Sequence, residues 1–311
     1  YERLPFVLDP EQALEPGAVP IHPGGNLSPT ERGLREPEVY ARGNIEEGLR
    51  SSDRVFEDRY TSAHINNAQL EPRVSVAVWD GDKLTVYAST QGISNCRDDL
   101  ATDLGITPEQ VRVVCEYMGG GFGNKNQCHD FDLMAAVLAK RAGAPVRVEF
   151  SRKEDFVGVH GRWPTRQYYK IGVNKDGTLQ AIQLRGYSGM GGYRKGSGAI
   201  GGIDLYRCPH VDTRVYPVYT NTAVAANFRA PAYPQGVFGL DSMIDQIAYE
   251  LQMDPLQFRL KNITREYHDE LPYTSYGLEE CIRRGAETFE WNKRWRPPAT
   301  DTGARKRGVG M

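Results

Sequence analysis

The sequence predicts an α+β protein of two related lobes, each a mixed sheet backed by helices. Three observations carry this. Two pairs of β-rich runs are each joined by a turn: residues 74–79 and 84–88 across Asp80-Gly81-Asp82, and residues 165–173 and 179–187 across Asn174-Lys175-Asp176-Gly177. Such turns between apolar runs mark hairpins. Further along each lobe comes a Gly- or Pro-rich junction, Gly119-Gly120-Gly121-Phe122-Gly123 in one and Phe228-Arg229-Ala230-Pro231 in the other. Each junction leads into a segment with an apolar face at helical spacing.

Residues 1–50 are rich in Pro, Gly, Glu and Arg and read as an extended segment wrapping a surface. Residues 51–150 form the first lobe. A strand over 55–62 precedes the first hairpin, and residues 93–104 form a helix with Ser94 or Asn95 as its cap and Gly105 as its stop. A strand over 111–117, the glycine loop, a helix over 130–141 ended by Gly143-Ala144-Pro145, and a strand over 146–150 complete it. Residues 151–311 form the second lobe. After its hairpin, Gly186 to Gly202 holds eight glycines in 17 residues, which reads as a long flexible loop. A strand over 211–220 follows. A helix over 235–251 then aligns Leu240, Met243, Ile244, Ile247 and Leu251 on one face. Asp254-Pro255 opens a helix to 262, with proline in the first turn where no N–H is needed, and residues 278–289 form a last helix.

Composition narrows the function classes. The 311 residues are 40% hydrophobic and 25% charged, ordinary for a soluble globular protein. A net charge of -2 with intermixed signs leaves no electrostatic footprint for nucleic acid. No apolar run approaches the roughly 18 residues of a membrane helix, and no secretory signal is visible. The expected location is the cytoplasm. The five cysteines are odd in number and widely spaced, without a C-x-x-C pair. That spacing argues against a disulfide scaffold and against a zinc or iron–sulfur site made by this chain, and it reads as free thiols in a reducing compartment. Starting at Tyr1 with no initiator methionine, the chain is expected to be an internal fragment or a processed subunit.

The glycine loop is the main chemical candidate. Four glycines around Phe122 pack poorly but let a backbone approach a ligand, and the strand–loop–helix order offers bare N–H groups to an anionic or oxygen-rich group. The loop is not a Walker motif, because Asn126 stands where Ser or Thr is required, and its glycines are not spaced as in a dinucleotide fingerprint. The bland alternative is a plain turn with Lys125 and Asn126 in solvent. Gln91, at the end of a strand and before a helix, offers donors and an acceptor to a ligand, or is a loop end in water. Arg229, before a helix N-terminus, is a fork for a carboxylate or an oxygen-rich cofactor, or half of a surface ion pair. His64 and Glu71 read as an acid–base pair or as a structural hydrogen-bonded pair.

Taken in order, these pieces resemble the molybdenum-cofactor-binding subunit of the xanthine oxidase family, the molybdenum hydroxylases. The matching features are Ser89-Thr90-Gln91-Gly92, Gly119 to Lys125, Leu205-Tyr206-Arg207-Cys208-Pro209, Phe228-Arg229-Ala230-Pro231, Pro234-Gln235-Gly236, Met253-Asp254-Pro255 and Arg259-Leu260-Lys261-Asn262. The resemblance implies a molybdenum held by a pterin dithiolene, as molybdopterin or its cytosine dinucleotide form, with no metal-bonding side chain. It implies that Gln91 hydrogen-bonds an oxygen ligand of the molybdenum. It places the backbone of Gly121, Phe122 and Gly123 beside the cofactor with the Phe122 ring over the site, and it turns Arg229 toward the metal, pterin or substrate. It implies hydroxylation of a small molecule with oxygen from water, or the reverse dehydroxylation. Electrons would pass to 2Fe-2S and FAD centres in partner subunits or domains, and the remaining molybdopterin-binding half would be a further partner. The family's general base, a glutamate in a Gly-Glu context, would lie beyond Met311.

Two departures bear on substrate. Purine-oxidising members carry a glutamate after the loop lysine and an aromatic ring two residues past the arginine, where this chain has Asn126 and Pro231. The loop Gly92-Ile93-Ser94 also lacks the cysteine-bearing active-site signature expected of carbon monoxide dehydrogenases. An aldehyde, an N-heteroaromatic or an aromatic acyl thioester is the expected substrate class. The competing reading is a cofactor-free scaffold that docks redox partner chains, and a nucleotide-phosphate binder is disfavoured by the glycine spacing.

Overall fold

In the computed structural model, residues 1–29, 33–193, 196, 198–267, 271–297, 300 and 302–311 are described. In chain order the elements are β1 (Glu38–Arg42), α1 (Ile45–Ser51), β2 (Arg54–Ser62), β3 (Val74–Asp80), β4 (Lys83–Ala88), α2 (Ile93–Leu104), β5 (Val111–Val114), α3 (Asp130–Ala142), β6 (Val146–Glu149), α4 (Arg152–Val157), β7 (Thr165–Val173), β8 (Leu179–Gly191), β9 (His210–Tyr219), α5 (Tyr233–Glu250), α6 (Pro255–Asn262), β10 (Glu266–Tyr267), β11 (Leu271–Pro272), α7 (Leu278–Thr288) and α8 (Trp291–Arg294).

One sheet has the order β5-β4-β3-β6 and the other β1-β9-β8-β7-β2. Both share a four-strand plan. The hairpin β3–β4 is antiparallel, β5 runs parallel to β4, and β6 closes the far edge antiparallel to β3. In the second sheet, β7–β8 is the hairpin, β9 runs parallel to β8, and β2 closes the far edge antiparallel to β7. β1 adds one more antiparallel strand beyond β9. The glycine loop joining β5 to α3 and the loop joining β9 to α5 therefore occupy equivalent places in the two units.

Helices cover one face of each sheet. In the first, Ala77, Leu84 and Val86 pack with Cys96 and Leu100 of α2 and with Ala135, Ala136 and Ala139 of α3. The small residues of α3 let it lie close to the sheet. In the second, Ile171, Ile182 and Leu184 pack with Leu240, Met243, Ile244 and Ile247 of α5, the face the periodicity predicts. Helix ends follow local chemistry: Gly105 and Gly143 close α2 and α3 in the left-handed region, and the Asp254 carboxylate accepts the Leu256 amide to cap α6. The N-cap of α2 is Gly92, with no side-chain cap from Ser94 or Asn95.

Three stretches differ from the sequence reading. β2, within the residues assigned to the first lobe, pairs with β7 in the second sheet. The wrapping segment assigned to residues 1–50 contains β1 and all but the last residue of α1. The glycine-rich stretch from Gly186 begins as strand, because β8 continues to Gly191. There the Ser188 hydroxyl donates to the carbonyl of Gly198, and the Ile200 side chain fills the space a Cβ on Gly186 would take. Arg194, Lys195 and Ser197 of that stretch lie outside the described residues. No helix among the described residues is long and apolar enough to cross a membrane.

Candidate functional site

Gln91 follows β4, and its side chain reaches into the glycine loop. Its Oε1 accepts the backbone amide of Gly123 at 2.8 Å and that of Lys125 at 3.4 Å, while the Gln91 backbone N–H donates to the Lys125 carbonyl at 2.6 Å. A Cβ on Gly121 would lie 2.3 Å from Gln91 Oε1, so only glycine permits this approach. Gly123 has φ +94° and Phe122 has φ +54°. A phenylalanine in the left-handed region is strained unless its surroundings hold it there. Here the Phe122 carbonyl accepts the Arg229 amide at 2.8 Å and Asn67 Nδ2 at 3.2 Å. The Phe122 ring is half-exposed and lies against Gly120.

The structure thus brings Gln91, Gly121, Phe122, Gly123 and the backbone of Arg229 together. Several donors in this group remain unanswered. The amides of Gly121 and Phe122, the Nε2 of Gln91 and the guanidinium of Arg229 have no hydrogen-bond acceptor among the described residues. Open N–H groups on one loop, with an exposed arginine whose backbone is tied to that loop, suit an anionic, oxygen-rich ligand.

Beneath the loop lies a buried polar foundation that the sequence does not reveal. Lys125, read as a surface residue, has a fully buried side chain whose Nζ donates to the Ser89 hydroxyl at 2.6 Å and to the Glu71 backbone and carboxylate at 3.1 Å each. The carboxylate of Glu71 also accepts the Ser89 hydroxyl at 2.6 Å and the Gly119 amide at 2.8 Å. Glu71 is therefore a loop anchor and, among the described residues, makes no bond to His64, whose buried Nε2 has no partner there and whose ring packs on Gly161. Arg73, fully buried, pairs with Asp155 at 2.5 Å and donates to the Asn124 carbonyl at 3.2 Å. Asn124 Nδ2 donates to Asn67 Oδ1 at 2.8 Å and to the His160 carbonyl at 2.6 Å. Burial, with the nearby Arg73 charge, drives the His129 imidazole down to about 3, so it stays neutral beneath the loop.

The second loop has its own organiser. Arg162, buried just before β7, donates to the carbonyls of Phe228 at 2.8 Å, Arg229 at 2.6 Å and Ala230 at 3.3 Å, and to Gln235 Oε1 at 2.8 Å. Its guanidinium also lies 4.8 Å from the Phe228 ring centroid. Those bonds run alongside Ala230 and Ala232, whose φ values of +55° and +74° are strained for alanine; the Ala232 carbonyl is held by the Gly201 and Gly236 amides. No local pattern around Gly161-Arg162-Trp163 distinguishes this arginine from a surface one, which is why sequence reasoning misses it.

Comparison with known proteins comes from three directions. A family model described as the molybdopterin cofactor-binding domain matches residues 31–263. The xanthine dehydrogenase molybdenum-binding subunit of Escherichia coli O157:H7 is 34% identical over 324 aligned positions, covering 100% of this chain and 42% of that protein. The chain therefore spans about two fifths of that curated relative's length. Among solved structures, quinoline 2-oxidoreductase from Pseudomonas putida 86 superposes with a TM-score of 0.85 at 22% identity, covering 94% of this chain and 39% of the other. Aldehyde oxidoreductase from Desulfovibrio gigas superposes with a TM-score of 0.83 at 25% identity, covering 93% of this chain and 32% of the other.

Proposed function

The chain belongs to the molybdopterin cofactor-binding domain family of oxidoreductases, and from that premise we propose that its glycine loop is one wall of a molybdenum–pterin site. The observation that carries this reading is the set of unanswered donors at one loop, the Gly121 and Phe122 amides and Gln91 Nε2, with the exposed residue Arg229 joined to that loop through its backbone amide. The donor set fits a group whose periphery is oxygen-rich and anionic, and the close approach at Gly121 keeps the loop free of side-chain bulk there.

When bound, the molybdenum–pterin group supplies two-electron redox chemistry and oxygen exchange with water. This chain's residues bind and orient. Gln91 spends its Oε1 on holding the loop and keeps Nε2 for an oxygen of the cofactor. Phe122 shields the site from water with its ring while its carbonyl ties the two lobes. Arg229 offers charge to the pterin or to substrate. The reaction class is hydroxylation, or reductive dehydroxylation, of an aldehyde, an N-heteroaromatic or an aromatic acyl thioester. Asn126 and Pro231 lack the carboxylate and the ring expected for a purine. Electrons would leave to 2Fe-2S and FAD centres in partner subunits, and the remaining molybdopterin-binding half would supply the opposite wall and the proton acceptor.

The test is metal and pterin analysis of the purified complex, with turnover of Gln91→Ala and Arg229→Ala. Stoichiometric molybdenum and pterin, and loss of turnover in both variants, are expected. An active complex without molybdenum would overturn the reading and leave a cofactor-free scaffold.

A further inference from the structure

Cys96, Cys128 and Asp132 are distant in sequence, and the wide cysteine spacing points away from a metal site. The fold brings them together. One sulfur from each cysteine and one carboxylate oxygen of Asp132 all lie within 4.8 Å of one another. Cys96 lies on α2 and is fully buried, Asp132 lies in the first turn of α3, and Cys128 sits just ahead of α3. Asp132 is only 2% exposed. Its Oδ2 accepts the His129 amide at 3.0 Å, while its buried Oδ1 has no hydrogen bond of normal geometry among the described residues and has the Ser75 hydroxyl beside it; the Cys128 thiol donates to the His129 carbonyl at 3.6 Å. A buried carboxylate oxygen without a well-formed hydrogen bond, beside two thiols, is costly unless something answers it.

From this geometry we infer a site for one thiophilic divalent cation of the zinc class, bound by Cys96, Cys128 and Asp132. Two thiolates and a carboxylate are a zinc-type donor set, with a fourth position left for water. Tetrahedral zinc with ligands at about 2.0–2.3 Å holds its donor atoms roughly 3.3–3.8 Å apart. The observed cluster needs only side-chain adjustment to close on an ion. Binding releases one proton from each thiol, and the two thiolates and the carboxylate together balance the ion's charge with one negative charge to spare. The second ordering device is already present: the Cys128 amide donates to Asp99 Oδ2 at 3.1 Å, tying the approach to α3 onto α2.

The site would have a positional role. α2 starts immediately after Gln91-Gly92, and α3 starts at Asp130, a few residues after the glycine loop and just past Cys128. An ion joining the two helix starts would fix the spacing between Gln91 and the loop that it holds.

Zinc X-ray absorption on the full complex, stripped with a chelator and reloaded with Zn2+ alone, tests this. One zinc per chain with two sulfurs at about 2.3 Å is expected. Cys128→Ser, at the more open of the two cysteines, should fold normally and weaken Zn2+ binding by more than about 100-fold, since altering groups that merely orient a ligand already costs about 10–100-fold. Cys281→Ser, at an exposed cysteine elsewhere, should bind as the parent does. A zinc shell without sulfur, affinity unchanged in Cys128→Ser, or recovery of Cys96 and Cys128 as a disulfide that excludes zinc would overturn the inference. Molybdenum content is measured in parallel, so loss of the cofactor site is seen separately.

Discussion

The Arg229 amide donates to the Phe122 carbonyl at 2.8 Å, so the equivalent loops of the two lobes are hydrogen-bonded to each other. Two residues predicted to act on the same cofactor are therefore coupled through backbone as well as through any ligand. A change that moves one loop is expected to be felt at the other.

Gln91 separates holding from binding. Gln91→Ala removes the acceptor for the Gly123 and Lys125 amides and the free Nε2 donor together. Gln91→Glu keeps acceptor oxygens, removes the donor and adds a negative charge toward an anionic ligand. Stability should fall by ~1 kcal/mol in Gln91→Ala, the usual worth of a lost hydrogen bond, and change less in Gln91→Glu. Molybdenum content should fall in both. Denaturant midpoints and metal analysis read these two effects; full molybdenum content in Gln91→Glu would show that the free Nε2 is not used.

Gly121 and Gly123 should fail differently when given a methyl. A Cβ on Gly121 would meet Gln91 Oε1 at 2.3 Å, so Gly121→Ala must displace the glutamine. A Cβ on Gly123 has ordinary contacts of 3.4 Å, but φ is +94°. Gly123→Ala should therefore cost about 1–3 kcal/mol of backbone strain with Gln91 left in place. Expected is deep loss of turnover for Gly121→Ala and a mainly thermal defect for Gly123→Ala. Equal turnover losses at equal stability would count against the close-approach argument.

Arg162 is expected to control the second loop without touching substrate. Arg162→Met leaves the Phe228, Arg229 and Ala230 carbonyls without their donor. Losing several part-buried hydrogen bonds should cost about 2–3 kcal/mol. Arg162→Lys keeps charge but loses the planar fork that reaches several carbonyls at once. It should fold better than Arg162→Met yet still turn over slowly. Urea unfolding beside steady-state turnover checks both, and a fully active lysine variant would mean that the fork is dispensable.

Much of the fold is legible in sequence because it rests on local signals. The Asp80-Gly81-Asp82 turn, the apolar face of α5 and the glycines closing α2 and α3 each act within a few residues. The pairing of β2 with β7 is not legible, since it depends on which sheet has a free edge. Within the site, glycine spacing and the polar Gln91 stand out because chemistry restricts residue type there. Lys125, Arg73 and Arg162 do not, because a basic side chain buried by long-range partners looks in sequence like one in solvent. The same limit hides the Cys96–Cys128–Asp132 cluster.

The Glu71–Lys125 anchor makes an acid-side prediction. Burial raises the Glu71 pKa, but the Ser89 hydroxyl, the Gly119 amide and the Lys125 ammonium outweigh it and hold the carboxyl below its ordinary value. The folded state therefore favours ionised Glu71. The stability this gives is fully present above the unfolded carboxyl pKa, about 4.3, and is lost as pH falls through the lower folded value. Glu71→Gln removes that titration and leaves buried Lys125 without its carboxylate. The variant should be less stable at neutral pH, by less than the ~3–5 kcal/mol of breaking a fully buried pair, because the Glu71 side chain is 29% exposed. Its deficit should then shrink as pH drops from 5 to below 4, since the parent loses there what the variant never had. Thermal midpoints of parent and Glu71→Gln across that range decide it: parallel curves would mean that Glu71 is not ionised preferentially in the fold, and that Lys125 is held by the Ser89 hydroxyl and the Glu71 carbonyl alone.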